Sequence, residues 1–71
     1  MDTIDRIIAY EQGELNGAEC VYLFSELVRS GQAWSLQGHY GRTASALIDN
    51  GILMDNGDID EMRAIELGIE M

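Results

Sequence analysis

The stretch AWSLQGHYGRTASALIDNGIL, residues 33–53, decides the fold of this chain. Its second half has apolar residues at helical spacing, which predicts a helix from His39 or Tyr40 to Asn50. The apolar face of that helix is formed by Tyr40, Ala44, Leu47 and Ile48. Gly38 is expected to separate it from a short segment, residues 32–37, anchored by Ala33, Trp34 and Leu36. Asn50-Gly51 is a typical helix stop, after which Ile52 and Leu53 would return to the core.

Two further helices are predicted upstream of this stretch. The apolar stripe of the first helix is formed by Ile4, Ile7 and Ile8. Asp2 and Thr3 can cap the start of this helix, and Gly13 can end it. Asn16 followed by Glu19 is typical of a capping box and predicts the start of a second helix. The apolar stripe of that helix is formed by Val21, Phe24, Leu27 and Val28. Gly31 suits the position after its last turn.

Residues 55–71 form an acidic segment that we separate from a helical core domain, residues 1–54. Asp55-Asn56-Gly57-Asp58 has the residues of a turn. Asp58 followed by Glu61 predicts a capped start for a short last helix, which Gly68 would interrupt. This helix either packs on the core domain or extends from it. A stripe near helical period follows, formed by Ile59, Met62, Ile65 and Ile69.

The fold class predicted from these segments is all-α, a compact bundle of three to four short helices with glycine corners. No segment alternates apolar and polar residues over the length of a strand. With 71 residues and one cysteine, the chain has no internal disulfide, and its core would supply about 3–5 kcal/mol. A homodimer is one way to bury more apolar surface.

Charge is distributed unevenly along the chain. The net charge is −9, yet no acidic residue lies between Leu27 and Ile48, whereas residues 55–71 have six acids and one arginine. This segregation predicts two candidate contact surfaces for a partner protein. One is the acid-free region, and the other is the acidic segment, with Asp58, Asp60, Glu61 and Glu66. The alternative for the acidic segment is a solvated helix that keeps a small protein soluble.

The chain is predicted not to be an enzyme, and no catalytic, cofactor or metal site is expected. His39 could in principle pair as a base with Cys20 or with one of several serines, but a small domain rarely encloses a pocket for such a pair. A segment starting at Asp55 does not match the calcium-binding loop of an EF-hand. Gly57 and Ile59 stand at positions that require ligands, and Asp60 stands where glycine is required. No basic leader or long apolar run is visible, so we expect an intracellular protein without a membrane contact.

A helix-turn-helix DNA binder is an alternative for residues 33–53, because a short helix, a glycine and a second helix follow one another there. Its polar residues nearest to bases or phosphates would be Gln37, Arg42, Thr43 and Ser45. A simple helix–glycine–helix corner explains the same pattern. The net charge of −9 and the scarcity of arginine disfavour nucleic acid as the partner.

A protein interface is the other interpretation of this region. Four residues are of the types that dominate binding hot spots, namely Trp34, Tyr40, Arg42 and, farther along the chain, Tyr22. Gln37 and His39 lie between Trp34 and Arg42. Trp34 and Tyr40 are equally well explained as the largest pieces of the core. Arg42 is least easily explained by packing, since it can cap carbonyls, pair with Asp49 or Glu26, or meet a partner.

The block LQGHYGRTA, with AW before it and YEQGEL at residues 10–15, resembles a group of small proteins encoded by tailed bacteriophages. The resemblance covers residues 4–53, so the acidic segment is expected to be peculiar to this chain. It implies a phage origin, location in the cytoplasm of the infected bacterium, and a non-enzymatic role in host takeover. The partner would be a host or phage protein, such as a component of transcription, nucleoid or defence machinery. A self-assembling structural component is a further alternative.

Overall fold

The structure, a computed structural model, describes residues 3–71. It contains four α-helices, α1 (Thr3–Glu11), α2 (Gly17–Ser30), α3 (Gly38–Asp49) and α4 (Glu61–Glu66), and one turn of 3-10 helix at Gln32–Trp34. Within residues 3–71 the only β-type pairing is an isolated antiparallel bridge between Leu53 and Ile59. The prediction of a small all-α bundle is therefore confirmed.

Helix α2 lies at the centre of the core and has both predicted ends. The Asn16 side chain accepts a hydrogen bond from the Glu19 backbone at 2.8 Å, and the Glu19 side chain accepts one from the Asn16 backbone at 2.9 Å. Gly31 follows the last turn with φ +82°, a left-handed conformation that favours glycine, and its N–H bonds to the Val28 carbonyl. The predicted stripe is buried, together with Leu23.

Helix α1 is rotated relative to the sequence prediction. Ile4 and Ile8 are 69% and 48% exposed, so the stripe predicted for them is wrong. Ile7 packs against the core as predicted, and Tyr10 packs there in place of Ile4 and Ile8. The Tyr10 ring meets Phe24 edge-on at 5.4 Å between centroids. An aromatic ring buries more apolar area than an isoleucine, which explains the rotation. Asp2, part of the predicted cap, lies outside the described residues.

Helix α3 begins at Gly38, slightly before the predicted start, and its inward face is as expected. Tyr40 and Ala44 are buried, and Leu47 and Ile48 pack partly against the core. The chain leaves the helix at Asn50-Gly51, with Gly51 at φ +78°. Ile52 and Leu53 then return to the core, as predicted.

Helix α4 begins two residues later than the sequence suggested. The cap is Asp60, whose carboxylate accepts the Arg63 N–H at 3.0 Å, so the prediction of Asp58 as the cap is wrong. The Asp60 N–H bonds to the Ile52 carbonyl at 2.8 Å, which holds the preceding backbone in an extended conformation. Fully buried Ala64 joins the core, and Arg63 Nε donates to the Asn50 carbonyl at 2.8 Å. Hence α4 packs on the core domain.

The apolar stripe predicted for this last segment is only half correct. Ile59 and Ile69 pack against the core, but Met62 and Ile65 are 73% and 54% exposed. The delayed helix start explains the difference, because it turns Ala64 and Arg63 inward and leaves Met62 and Ile65 on the outer face.

Replacing Asp60 with alanine is expected to lower the free energy of unfolding by about 1 kcal/mol, the usual cost of losing a helix cap. Asp60→Asn retains an acceptor oxygen and should have little effect. Urea unfolding followed by circular dichroism measures both changes. Equal losses for the two variants would contradict the capping role.

Candidate functional site

The acid-free region folds into a surface built on the 3-10 turn. The Trp34 N–H bonds to the Gly31 carbonyl at 3.2 Å, and the Leu36 N–H bonds to the Gln32 carbonyl at 3.1 Å. A single turn places only one side chain toward the core. In this turn it is Ala33, which is fully buried. Trp34 and Leu36 are 52% and 38% exposed. The expectation that both anchor this segment is therefore wrong, and only Ala33 does so.

Trp34 and Arg42 both lie against the first turns of α3, at positions without side chains. A Cβ atom placed on Gly41 would be 3.7 Å from Cε3 of Trp34, and one placed on Gly38 would be 3.1 Å from Nη1 of Arg42. The indole thus lies against Gly41, and the guanidinium folds back over Gly38. We call the exposed side chains at this end of α3, those of Trp34, Leu36, Gln37 and Arg42, the Trp34–Arg42 corner.

Arg42 differs from the other three arginines in its surroundings. Arg6 pairs with Glu26, Arg29 pairs with Asp58 at 3.1 Å, and Arg63 donates to the Asn50 carbonyl. Arg42 is exposed, and within residues 3–71 it has no carboxylate within 4.0 Å and makes no side-chain hydrogen bond. Of the roles predicted for Arg42, pairing with Glu26 or Asp49 is not observed.

An aromatic cluster lies behind the corner. Tyr40 is 2% exposed and donates to the Glu11 carboxylate at 2.6 Å. His39 stacks on Tyr40 at 4.2 Å between centroids, and its Nε2 lies 3.2 Å from the Tyr10 hydroxyl. Of the two alternatives for Tyr40, the structure supports the core role. Tyr40 and the half-buried His39 position the first turn of α3 rather than lining the corner.

Burial raises the pKa of the Tyr40 hydroxyl above its ordinary value, and the hydrogen bond to Glu11 raises it further. The neutral hydroxyl is therefore favoured in the folded protein. In the unfolded chain, a tyrosine ionises at about pH 10. The unfolded state then binds fewer protons than the folded state, so the stability supplied by this group is present below that pH and falls above it.

We expect Tyr40→Phe to flatten this alkaline loss of stability, because phenylalanine cannot ionise. The variant should also be less stable than the wild type at neutral pH, since a hydrogen bond to a charged acceptor is lost, by about 1.5–3 kcal/mol. Thermal unfolding across the alkaline range tests both effects. Tyr22→Phe, at an exposed tyrosine, is the control and should leave the profile unchanged.

The four acidic residues predicted as a contact surface are not equivalent in the structure. Asp58 pairs with Arg29 and closes the preceding turn with Asn56, and Asp60 caps α4. Glu61 and Glu66 are exposed on α4. The structure therefore separates the predicted set into two residues with structural partners and two on an outer surface.

Cys20 does not have the surroundings of a reactive thiol. It is half-buried, and burial raises the pKa of its thiol, with the Glu19 charge adding to the effect. A reactive cysteine needs the opposite shift. Across residues 3–71, no three His, Cys, Asp or Glu side chains are grouped so as to hold a metal ion. None of the described helices is long and apolar enough to cross a membrane.

The helix-turn-helix interpretation also meets a structural difference. The expected first helix, residues 32–37, is a single 3-10 turn at Gln32–Trp34, so the two-helix pair predicted around Gly38 is not formed. The two glycines near the start of α3, Gly38 and Gly41, are a signal in the sequence for this corner. A glycine inside a helix costs about 1 kcal/mol relative to alanine, and Gly38 and Gly41 lie beneath Arg42 and Trp34.

No curated protein and no solved structure matches this chain. A family model does match, over residues 1–68. The matched range includes α4 and most of the acidic segment, so this segment is part of the family's domain. That finding differs from the expectation that the segment is peculiar to this chain. Because the match covers nearly the whole chain, the protein belongs to the family described as a domain of unknown function, DUF7417.

Proposed function

We propose that this protein is a phage-encoded, non-enzymatic interaction protein that binds a host protein through the Trp34–Arg42 corner. The observation that carries the proposal is a half-exposed tryptophan and an exposed arginine that both lie on the first turns of α3, in the acid-free region of a chain with net charge −9. Within residues 3–71 this arginine has no ion pair. The phage origin and the location in the infected bacterial cytoplasm depend on the resemblance of the LQGHYGRTA block. The host partner would belong to transcription, nucleoid or defence machinery.

The chemistry of the corner supports a protein partner with an apolar surface and acidic residues at its edge. Tryptophan and arginine are enriched among residues that dominate binding energy. Leu36 and Gln37 are also exposed and directly precede α3, so they would offer a partner a further apolar and a further polar group. Arg42 has no carboxylate from the described chain to satisfy it, so an acidic group of a partner would gain the contact without displacing an internal pair.

The second contact mode, in which the acidic segment mimics nucleic acid on a basic host surface, has less support. Asp58 and Asp60 already have structural partners. Charge reversal at all four acids would therefore disturb the fold as well as the surface. A test of this mode should be restricted to Glu61 and Glu66, which are exposed.

A pull-down from bacterial lysate with tagged wild type, Arg42→Ala and Glu61→Arg/Glu66→Arg tests the proposal. We expect one protein, identified by mass spectrometry, to be retained by wild type and by the glutamate variant and lost with Arg42→Ala. Retention by Arg42→Ala with loss in the glutamate variant would favour the acidic mode. Retardation of DNA in a low-salt gel shift would favour the DNA-binding class instead.

A further inference from the structure

The outer face of α4 has chemistry complementary to the Trp34–Arg42 corner. Met62 and Ile65 are three residues apart, so they are neighbours on the helix surface, and they are 73% and 54% exposed. Glu61 and Glu66 lie at the edges of this pair and are exposed. The face is thus apolar at its centre and negative at its rim, whereas the corner is apolar with an arginine at its rim.

One molecule cannot bring these two surfaces together by itself. The corner lies on the first turns of α3, where Trp34 contacts Gly41. Helix α4 is fixed at the other end of α3, where Arg63 lies against Gly51 and bonds to the Asn50 carbonyl. Eight residues of helix run from Gly41 to the end of α3 at Asp49, about 12 Å at 1.5 Å per residue, and Gly51 lies beyond that end. The complementary face must therefore come from another molecule.

We propose that the protein self-associates head to tail, with the α4 face of one copy covering the Trp34–Arg42 corner of another. Met62 and Ile65 would pack on Trp34 and Leu36, and Arg42 would meet Glu61 or Glu66. The small core favours such a contact, because a chain of this size gains stability by burying apolar surface shared with a second copy. A head-to-tail dimer keeps one open corner, on one copy, and one open α4 face, on the other, so the contact can extend into longer chains.

A mixing experiment tests this arrangement directly. Met62→Ser/Ile65→Ser removes the α4 face and leaves the corner, whereas Trp34→Ala/Arg42→Ala removes the corner and leaves the α4 face. Light scattering coupled to size exclusion, from micromolar to millimolar concentration, gives the mass of each sample. Wild type should exceed the monomer mass of 7.9 kDa as concentration rises. Each variant alone should be monomeric, and an equal mixture should form a dimer and nothing larger.

The matched control is Ile4→Ser/Ile8→Ser, which removes an equally apolar exposed pair from α1. It should associate like wild type, and circular dichroism should show all variants folded. The proposal is overturned if wild type stays monomeric throughout, if the mixture stays monomeric, or if the α1 variant loses association. A host protein and a second copy would compete for the same corner. The proposed function does not depend on self-association, because the pull-down reports the host protein whatever the mixture does.

Discussion

Gly57→Ala is expected to lower the free energy of unfolding by about 2–5 kcal/mol, enough to unfold much of the protein. Gly57 has φ +95°, which disfavours any residue with a side chain, and a Cβ there would lie 2.7 Å from the Ser25 carbonyl oxygen. The backbone of Arg29 would be 3.1 Å away. Since these neighbours are backbone atoms of the central helix, they cannot move aside as a flexible side chain can.

The close approach at Gly57 attaches the acidic segment to α2. Ser25, buried in the core, donates its hydroxyl to the Gly57 carbonyl at 2.5 Å, and the Gly57 N–H bonds to the Met54 carbonyl at 2.9 Å. The matched control is Gly13→Ala, because Gly13 also has a positive φ, +74°, but has open space around it. Urea unfolding of both variants separates the conformational cost from the steric one. Equal losses would mean that Gly57 does not pack tightly.

The second large effect is expected at the Trp34–Arg42 corner. If the corner is the binding surface, Trp34→Ala and Arg42→Ala should each weaken capture of the host protein by about thirtyfold or more, equivalent to the 2 kcal/mol of a hot-spot residue. Thermal stability should change little for Arg42→Ala, because the side chain is exposed and has no ion pair within the described chain. Trp34→Ala should cost somewhat more, since the indole contacts Gly41.

Tyr22→Ala provides the matched control for these variants. Tyr22 is an aromatic residue with 45% exposure, close to the 52% of Trp34, but it lies on α2 outside the corner. Its replacement should leave capture unchanged. If Tyr22→Ala weakens capture as much as Trp34→Ala, exposed aromatic area in general, rather than the corner, is responsible for binding.

The sequence predicted helix bounds best where the apolar periodicity was strong and both helix ends had a capping signal. The capping box at Asn16 and Glu19 and the glycine at Gly31 bound α2 in both the prediction and the structure. These signals succeed because they depend on hydrogen bonds between residues a few positions apart.

The predictions failed where a tertiary contact decided the outcome. The backbone bond from Asp60 to Ile52 delays the start of α4, and this changes which of its residues face outward. The contact of Tyr10 with Phe24 rotates α1 and exposes Ile4 and Ile8. In both cases local spacing identified the helix but not its inward face.

The candidate site could be predicted in part. The absence of acidic residues around Arg42 is visible in the sequence, and the structure leaves that side chain exposed. The exposure of Trp34 and the burial of Tyr40 were not predictable from residue type, because both are large aromatic residues in the same short stretch. The 3-10 turn decides between them: its one inward position is taken by Ala33, so the tryptophan next to it faces solvent.

Site-specific photo-crosslinking tests the central claim most directly. A benzophenone amino acid placed at position 34 lies on the corner, and one placed at position 62 lies on the outer face of α4. Both native residues are more than half exposed, so the replacement should be tolerated at each position. Covalent dimers of the protein itself are distinguished from adducts with a foreign protein by mass spectrometry.

If the corner binds the host protein, irradiation in bacterial lysate should give an adduct with one foreign protein from position 34 and none from position 62. An adduct with a foreign protein from position 62 and none from position 34 would contradict the account and place the binding surface on the acidic helix.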